Sequence, residues 1–453
     1  MAKHAWFDRL WALTHPGVGG GTEGLVLSGG GSRASFQIGA LRYLYDVRHI
    51  APTSIVGTSA GSIVGAMLAQ SLDPVIQSEQ LRVLENFWLA MTGPEEMYAE
   101  QTWFRRLREQ WDDLSEVLPE PAPTAEAFVD PDTADPERAV KEALEYDPST
   151  EGSDFSLSVA WQLLGSLPRL GRVGAGLAST LRGAERAASA YRPGPIVHRL
   201  LFESGFRAQA VRDSGVQLRL AIVGLGSGAL RYIRQDGLIV DTDDQPVEPT
   251  PFDLSLGVWA SCAIPGVFRP IKLGNELYVD GGVRETVPVE MAVEQLGVTR
   301  PYVIVSTPPD LALPDFEPRD MVSIMMRSFS ILMDETVRDE VVWARRAGAT
   351  VIDPRIEVHG SLTVDRGLLR INRDYGWMRA AEELTGAEDS PVDEIIEARL
   401  ELYRLVGDHS APAKAVRAAR KHLRRLLVDA DPALLPDGTD DWPDETPAHP
   451  EPR

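Results

Sequence analysis

Two kinds of hydrophobic pattern alternate along this chain. Short apolar runs end in small residues, and longer stretches carry apolar positions at helical spacing. Gly24-Leu25-Val26-Leu27-Ser28 reads as a short buried strand, and Phe36, Ile38, Ala40, Leu41, Leu44 and Tyr45 then recur at mostly helical spacing. Ile55-Val56 leads into a second helix-like stretch, Leu277-Tyr278-Val279-Asp280 is a strand ending in a carboxylate, and Tyr302-Val303-Ile304-Val305-Ser306 looks like a further parallel strand. Met321 to Ala347 holds long helical patterning, with short strand candidates at Val351-Ile352 and Ile356 to Val358. A helix with Ile395, Ile396, Leu400, Leu402 and Leu405 follows, then a basic one from Lys414 to Arg425. Buried strands alternating with helices predict an α/β domain around a mostly parallel sheet.

The small residues between these elements carry the candidate chemistry. Gly57-Thr58-Ser59-Ala60-Gly61 is a Gly-x-Ser-x-Gly turn between a strand and a helix, and side chains at Gly57 or Gly61 would clash with neighbouring backbone. It offers Ser59 as a nucleophile. Upstream, Gly29-Gly30-Gly31-Ser32-Arg33 joins a strand to a helix, where backbone amides favour negative charge. No Gly-Lys-Ser/Thr closes this loop, and Ala34 stands where a dinucleotide fingerprint has its third glycine. An oxyanion hole is the better use, each donor being worth about 3 kcal/mol by analogy with measured cases. Two residues offer themselves as base: Asp280, followed by Gly281-Gly282, and His359, placed late in the chain as in a Ser-His hydrolase.

Taken in order, the Gly29 to Arg33 loop, the Ser59 turn and Asp280-Gly281-Gly282 resemble the patatin-like phospholipase family. Ala260-Ser261-Cys262-Ala263-Ile264-Pro265-Gly266-Val267-Phe268, Val283 to Val289, Asp334 to Ala349 and Ile371 to Glu383 extend the resemblance over roughly residues 24 to 385, apart from one insertion. It implies a three-layer α/β/α fold and a Ser-Asp dyad without histidine that hydrolyses ester bonds of lipids. Carried over, Ser59 is the nucleophile, Asp280 the base, and Gly29, Gly30 and Gly31 the oxyanion hole. Arg33 takes the family's basic position, holding the loop or attracting an anionic head group. Ala34 replaces the usual glycine, a modest change. The implied partners are phospholipid, lysophospholipid or another fatty-acyl ester, met at a membrane or lipid-aggregate surface. A Ser-His esterase using His359 and a non-catalytic lipid-binding protein of the same fold are the alternatives.

Composition narrows this picture. A chain of 453 residues with 43% hydrophobic content suits one enzyme domain with insertions and tails. A net charge of -22 argues against nucleic acid as a partner. The single cysteine, Cys262, permits no intramolecular disulfide and points to a reducing, cytoplasmic setting. No signal peptide or spanning segment is expected, and no required metal or other cofactor, since Asp241-Thr242-Asp243-Asp244 lacks the spacing of a calcium loop. The expected divisions are an N-terminal segment 1–23, the hydrolase domain 24–385 with an insertion at 91–195, a helical extension 386–428 and a disordered acidic tail 429–453. Within the insertion, Glu109 to Asp154 holds fifteen acidic residues against Arg138 and Lys141, and reads as a mobile loop. Trp161 to Leu200 holds six arginines against Glu185, which suits either packing on its own domain or an interfacial or lid role.

Overall fold

The computed structural model describes residues 21–100, 191–309, 321–387 and 390–444. The chain divides into two units, Met1–Ala99 with Pro193–Arg453, and Glu100–Arg192. Both halves of the charged insertion therefore fall largely outside the described residues, as do residues 1–20 and 445–453.

In the larger unit, alternate strand residues feed two separate cores. Along the described chain the strands are β1 (Glu23–Leu27), β2 (Ser54–Thr58), the short β3 (Tyr98–Glu100) and β4 (Tyr191–Pro193), which span the chain's two unit boundaries, β5 (Gln217–Gly224), β6 (Leu230–Arg234), β7 (Ile239–Val240), β8 (Ile271–Leu273), β9 (Glu276–Asp280), β10 (Arg300–Ile304) and β11 (Thr350–Ile352). Leu25, Leu27, Ile55, Ile304 and Ile352 point into one core, and Val26, Val56, Val303 and Val351 into the other. Each such side chain is fully or almost fully buried, which favours folding by about 1.5–3 kcal/mol apiece. This is why these strands read as unbroken apolar runs, since both faces are covered.

The α-helices of six residues or more among the described residues are α1 (Ala34–Asp46), α2 (Ala60–Leu68), α3 (Pro74–Ala90), α4 (Ala208–Asp213), α5 (Leu254–Ser261), α6 (Met321–Arg346), α7 (Arg366–Thr385), α8 (Val392–Gly407) and α9 (Ala413–Asp429). Helices α1, α2, α3, α7 and α8 contribute to the first core, while Val337, Val341 and Ala344 of α6 close the second. The result is three layers. Asp73, Asp253 and Asp365 cap α3, α5 and α7 by accepting backbone N–H bonds. Helices α1 and α7 cross at two glycines: a Cβ at Gly39 would strike the Arg373 carbonyl, and one at Gly376 would lie 2.8 Å from Phe36 C.

The sheet order is β11-β10-β1-β2-β5-β6-β7, with β9 pairing β5 and β8. The central strands β11, β10, β1, β2 and β5 are parallel, and β6 to β9 join by antiparallel pairing. Two expectations need correction. Ile356 to Val358 is not a strand, because the amides of Arg355 and Ile356 donate to the Tyr375 hydroxyl and the His359 carbonyl accepts from Arg33. The acidic tail is not free from Asp429 onward: Leu434 and Trp442 are buried, Arg399 stacks 3.8 Å from the Trp442 ring centre, and Arg424 pairs with Asp444.

Candidate active site

Register explains how residues 59 and 280 meet. Strand β2 runs parallel to β5 and ends at Thr58 opposite Ala221, while β9 runs antiparallel to β5 and ends at Asp280 opposite Ile222. Ile222 and Val223 pair with β6 as well, on the far side, so β2 and β9 share one edge of β5. The two strands approach each other end to end. Ser59 lies immediately beyond one end and Asp280 at the other.

Ser59 occupies φ 54, ψ −125 at the cap of α2, a conformation that costs a non-glycine residue of order 1–3 kcal/mol. Its surroundings hold it there. A Cβ at Gly57 would lie 2.6 Å from the Gly61 carbonyl, and one at Gly61 would lie 2.6 Å from the Ser28 carbonyl, so only glycine allows the turn to pack on β1. The Ser59 amide donates to Ser261 Oγ at 3.1 Å, and the Ser261 hydroxyl donates to the Ala221 carbonyl at 2.7 Å. With its one hydrogen so placed, Ser261 Oγ accepts from Ser62 Oγ at 2.7 Å. Cys262 Sγ donates to the Ser59 carbonyl at 3.1 Å, and the Asp280 amide donates to the Ala263 carbonyl at 3.0 Å. Residues 261–263 thus brace both candidate catalytic residues. Neither Ser261 nor Cys262 is assigned a role at the site by the sequence alone; their place in the Ala-Ser-Cys-Ala-Ile-Pro run was the available signal.

Asp280 is 5% exposed and Ser59 7% exposed. Asp280 Oδ1 accepts from the Gly282 amide at 2.8 Å, while Oδ2 is buried without a hydrogen-bond partner. Burial pushes the carboxyl up to about 6, opposed by the Ser59 hydroxyl and the Gly282 amide, which favour the ionised form. Ser59 and Asp280 are therefore close enough to interact, although they do not close a hydrogen bond of ordinary geometry. Gly281 must be glycine, since a Cβ there would lie 2.5 Å from the Ala221 carbonyl.

The glycine loop lines the same end of the sheet. A Cβ on Gly29 would lie 3.4 Å from Ser59 Cβ, whereas Gly30 faces Ser306 and Gly31, at φ 57, faces the Ser361 carbonyl. The Gly29 amide donates to the Thr286 carbonyl at 3.1 Å, and the amides of Gly30 and Gly31 make no hydrogen bond among the described residues. Of the three expected oxyanion donors, two are thus unengaged. Ala34 adopts ordinary helical geometry, φ −59 and ψ −13, so the missing glycine imposes no strain.

Arg33 and His359 have other partners. The Arg33 guanidinium donates to the His359 carbonyl at 2.9 Å, to Thr307 Oγ1 at 3.1 Å, and ion-pairs with Glu357. Of its two expected roles, holding the loop is the one this geometry serves. His359 is buried, its Nδ1 lies 3.0 Å from the Gly360 carbonyl, and burial lowers its pKa. It makes no hydrogen bond to Ser59 or Asp280 among the described residues. Its segment instead straps the glycine loop from outside, with the Ser32 amide donating to the Ser361 carbonyl at 2.8 Å. In the acidic run, Asp244 forms a two-pronged ion pair with Arg219, at 2.5 and 2.6 Å. No group of three metal-ligating side chains occurs among the described residues.

The family described as Patatin-like phospholipase matches residues 25–116 and 177–293. Among solved structures the chain is similar to VipD from Legionella pneumophila, at 16% identity and a TM-score of 0.32, over 94% of this chain and 83% of that one. It is also similar to a chain of the ExoU-SpcU heterodimeric complex from the type III secretion system of Pseudomonas aeruginosa, at 15% identity and a TM-score of 0.22, over 91% and 67%.

Proposed function

Because this chain belongs to the patatin-like phospholipase family, we propose that it is a lipid acyl hydrolase working through a Ser59–Asp280 dyad. Asp280 accepts the Ser59 proton on Oδ2 as Ser59 Oγ attacks the ester carbonyl. The Gly30 and Gly31 amides hold the developing oxyanion. Collapse of the tetrahedral intermediate expels the alcohol or lysolipid, which takes the proton from Asp280. Water then attacks the acyl-enzyme with Asp280 again as base, and the proton returns to Ser59 as the fatty acid leaves.

The observation that carries this reading is the end-to-end approach of β2 and β9 along β5. It sets a buried carboxylate with one unpartnered oxygen beside a serine on a strained turn. A base near 6 is ionised at neutral pH yet takes a proton more readily than an ordinary carboxylate. An acyl chain in the cleft would exclude water and strengthen the oxyanion contacts further. The substrates we assign are fatty-acyl esters of phospholipids or lysophospholipids, encountered at a membrane or lipid-aggregate surface. No described helix is long and apolar enough to cross a membrane.

A fluorophosphonate probe should label the wild type, and Ser59→Ala should abolish both labelling and ester hydrolysis. Labelling of Ser59→Ala at the wild-type rate would sink the assignment. Comparing lipids from cells that express the wild type with those expressing Ser59→Ala then identifies the head group.

A further inference from the structure

Three sets of hydrogen bonds converge on backbone groups of residues 284–286, just beyond Asp280. The Arg284 and Glu285 amides donate to the Gly281 carbonyl, both at 2.9 Å, closing the turn that follows the base. Thr58, the residue before the nucleophile, donates its hydroxyl to the Glu285 carbonyl at 3.2 Å. Gly29 donates its amide to the Thr286 carbonyl at 3.1 Å. The base, the nucleophile turn and the glycine loop therefore share one short segment as their common support.

That segment is held from behind by a single carboxyl group. Glu340, on α6, accepts from the Thr286 amide at 3.1 and 3.2 Å and from the Val287 amide at 2.8 Å. Its helix is anchored on the same face, since Val337, Val341 and Ala344 are buried in the second core. We propose that Glu340 is a positioning residue for the hydrolysis, fixing through Thr286 and Val287 the spacing between Asp280, Ser59 and the glycine loop. This rests on the dyad reading above and extends it to a residue on another element.

The surroundings suggest which replacement mimics it. Glu285, itself bonded to the Tyr232 hydroxyl, and Glu290 act on Glu340, and burial followed by Glu285 pushes its carboxyl up to about 9. A group that keeps its proton at neutral pH resembles a carboxamide in charge and shape, so glutamine can still offer one oxygen to both amides. Methionine has similar length and no adequate acceptor. Aspartate retains the acid but falls short of the amides.

The test compares Glu340→Gln, Glu340→Met and Glu340→Asp with the wild type, measuring kcat and KM on a soluble short-chain ester and the fluorophosphonate labelling rate of the folded fraction. Glu340→Met should lower kcat and labelling about 10- to 100-fold with KM within about twofold, because misplacement on the scale of 1 Å is costly to rate and not to binding. Glu340→Asp should lose about tenfold, and Glu340→Gln should recover most of the activity that methionine loses. If Glu340→Met does not fold, Glu340→Asp decides. Wild-type kcat and labelling in either folded variant, or equal loss in Glu340→Gln and Glu340→Met, would overturn the proposal. Labelling of Ser59→Ala in parallel would instead show that the dyad reading itself has failed.

Discussion

On the proposed dyad, burial of Asp280 acts on activity and on stability in opposite directions. The carboxyl is held near 6 against an ordinary value of 3.8, so the folded protein resists the ionisation that the proposed mechanism requires. Stability from this group is fully present below about pH 4 and is lost as pH rises through about 6, a difference of roughly 3 kcal/mol at neutral pH. Activity has the reverse sign. We expect kcat/KM to rise as pH increases through about 6, where the free enzyme's base ionises. Asp280→Asn should lose about 10⁴-fold in turnover yet melt at a higher temperature than the wild type at pH 7.5, whereas His359→Ala should keep turnover within a few fold. Paired kinetic and calorimetric measurements check this, and an active Asp280→Asn would return His359 to consideration. At this scale much was legible, because Ser59, Gly57, Gly61 and Asp280-Gly281-Gly282 carry their constraints locally. Glu340 and the Ser361 carbonyl were not, since each approaches from a segment distant in sequence, and Ser261 was signalled only by its place in the Ala260 to Phe268 run. The sequence left His359 open as a base; only its burial and its bond to Gly360 show it in another setting.

Elements differ in how far their own sequence announces them. Strands β1, β2 and β10, covered on both faces, stand out as apolar runs. Strand β5 is harder to read, because buried Arg219 interrupts the run and is tolerated through its pairing with Asp244 and its hydrogen bonds to Gln235 and the Leu218 carbonyl. The antiparallel additions β6 to β8 are short, and their pairing depends on partners outside the local pattern. The crossing of α1 and α7 was also hidden. Gly39 and Gly376 sit within helices, where glycine is normally unfavourable by about 1 kcal/mol relative to alanine, and close backbone approach is what compensates. Gly376→Val should therefore destabilise the fold by about 3 kcal/mol, the upper end for overpacking, because backbone on the facing helix cannot rotate away. Urea unfolding measures it; a loss below about 0.5 kcal/mol would mean that the helices separate freely. Since Asn372 of α7 donates to the Ser35 hydroxyl and the Arg33 carbonyl, the same variant disturbs the start of α1.

Across the whole molecule, the partly buried acids Glu285 and Glu340 lead us to expect a pH dependence that composition alone hides. Burial pushes Glu285 up to about 7 and Glu340 up to about 9, while both ionise near 4.5 in an unfolded chain. The folded state thus holds protons that the unfolded chain releases. Stability from these groups is intact below about pH 4.5 and falls as pH rises through 7 and toward 9. Repulsion within a chain of net charge -22 acts in the same sense. We expect the melting temperature to fall by several degrees between pH 6.5 and pH 9 at constant ionic strength, and Glu340→Gln to flatten that fall; a wild-type curve that rises over this range would contradict it. The expected insertion at 91–195 lies largely outside the described residues, and the smaller unit of the chain runs from Glu100 to Arg192.

The position of that insertion has a further consequence. It falls in the connection between β2 and β5, neighbours in the sheet whose pairing runs from Ser54 opposite Gln217 to Thr58 opposite Ala221. The register of the two strands is set by their own hydrogen bonds and by the cores on either face, not by the length of chain between them. Doubling such a connection costs only about 0.6 kcal/mol in closure entropy. The segment between the two strands can therefore differ in length while their pairing is kept. Exchanging that segment in the laboratory should therefore leave the pairing of β2 with β5 in place.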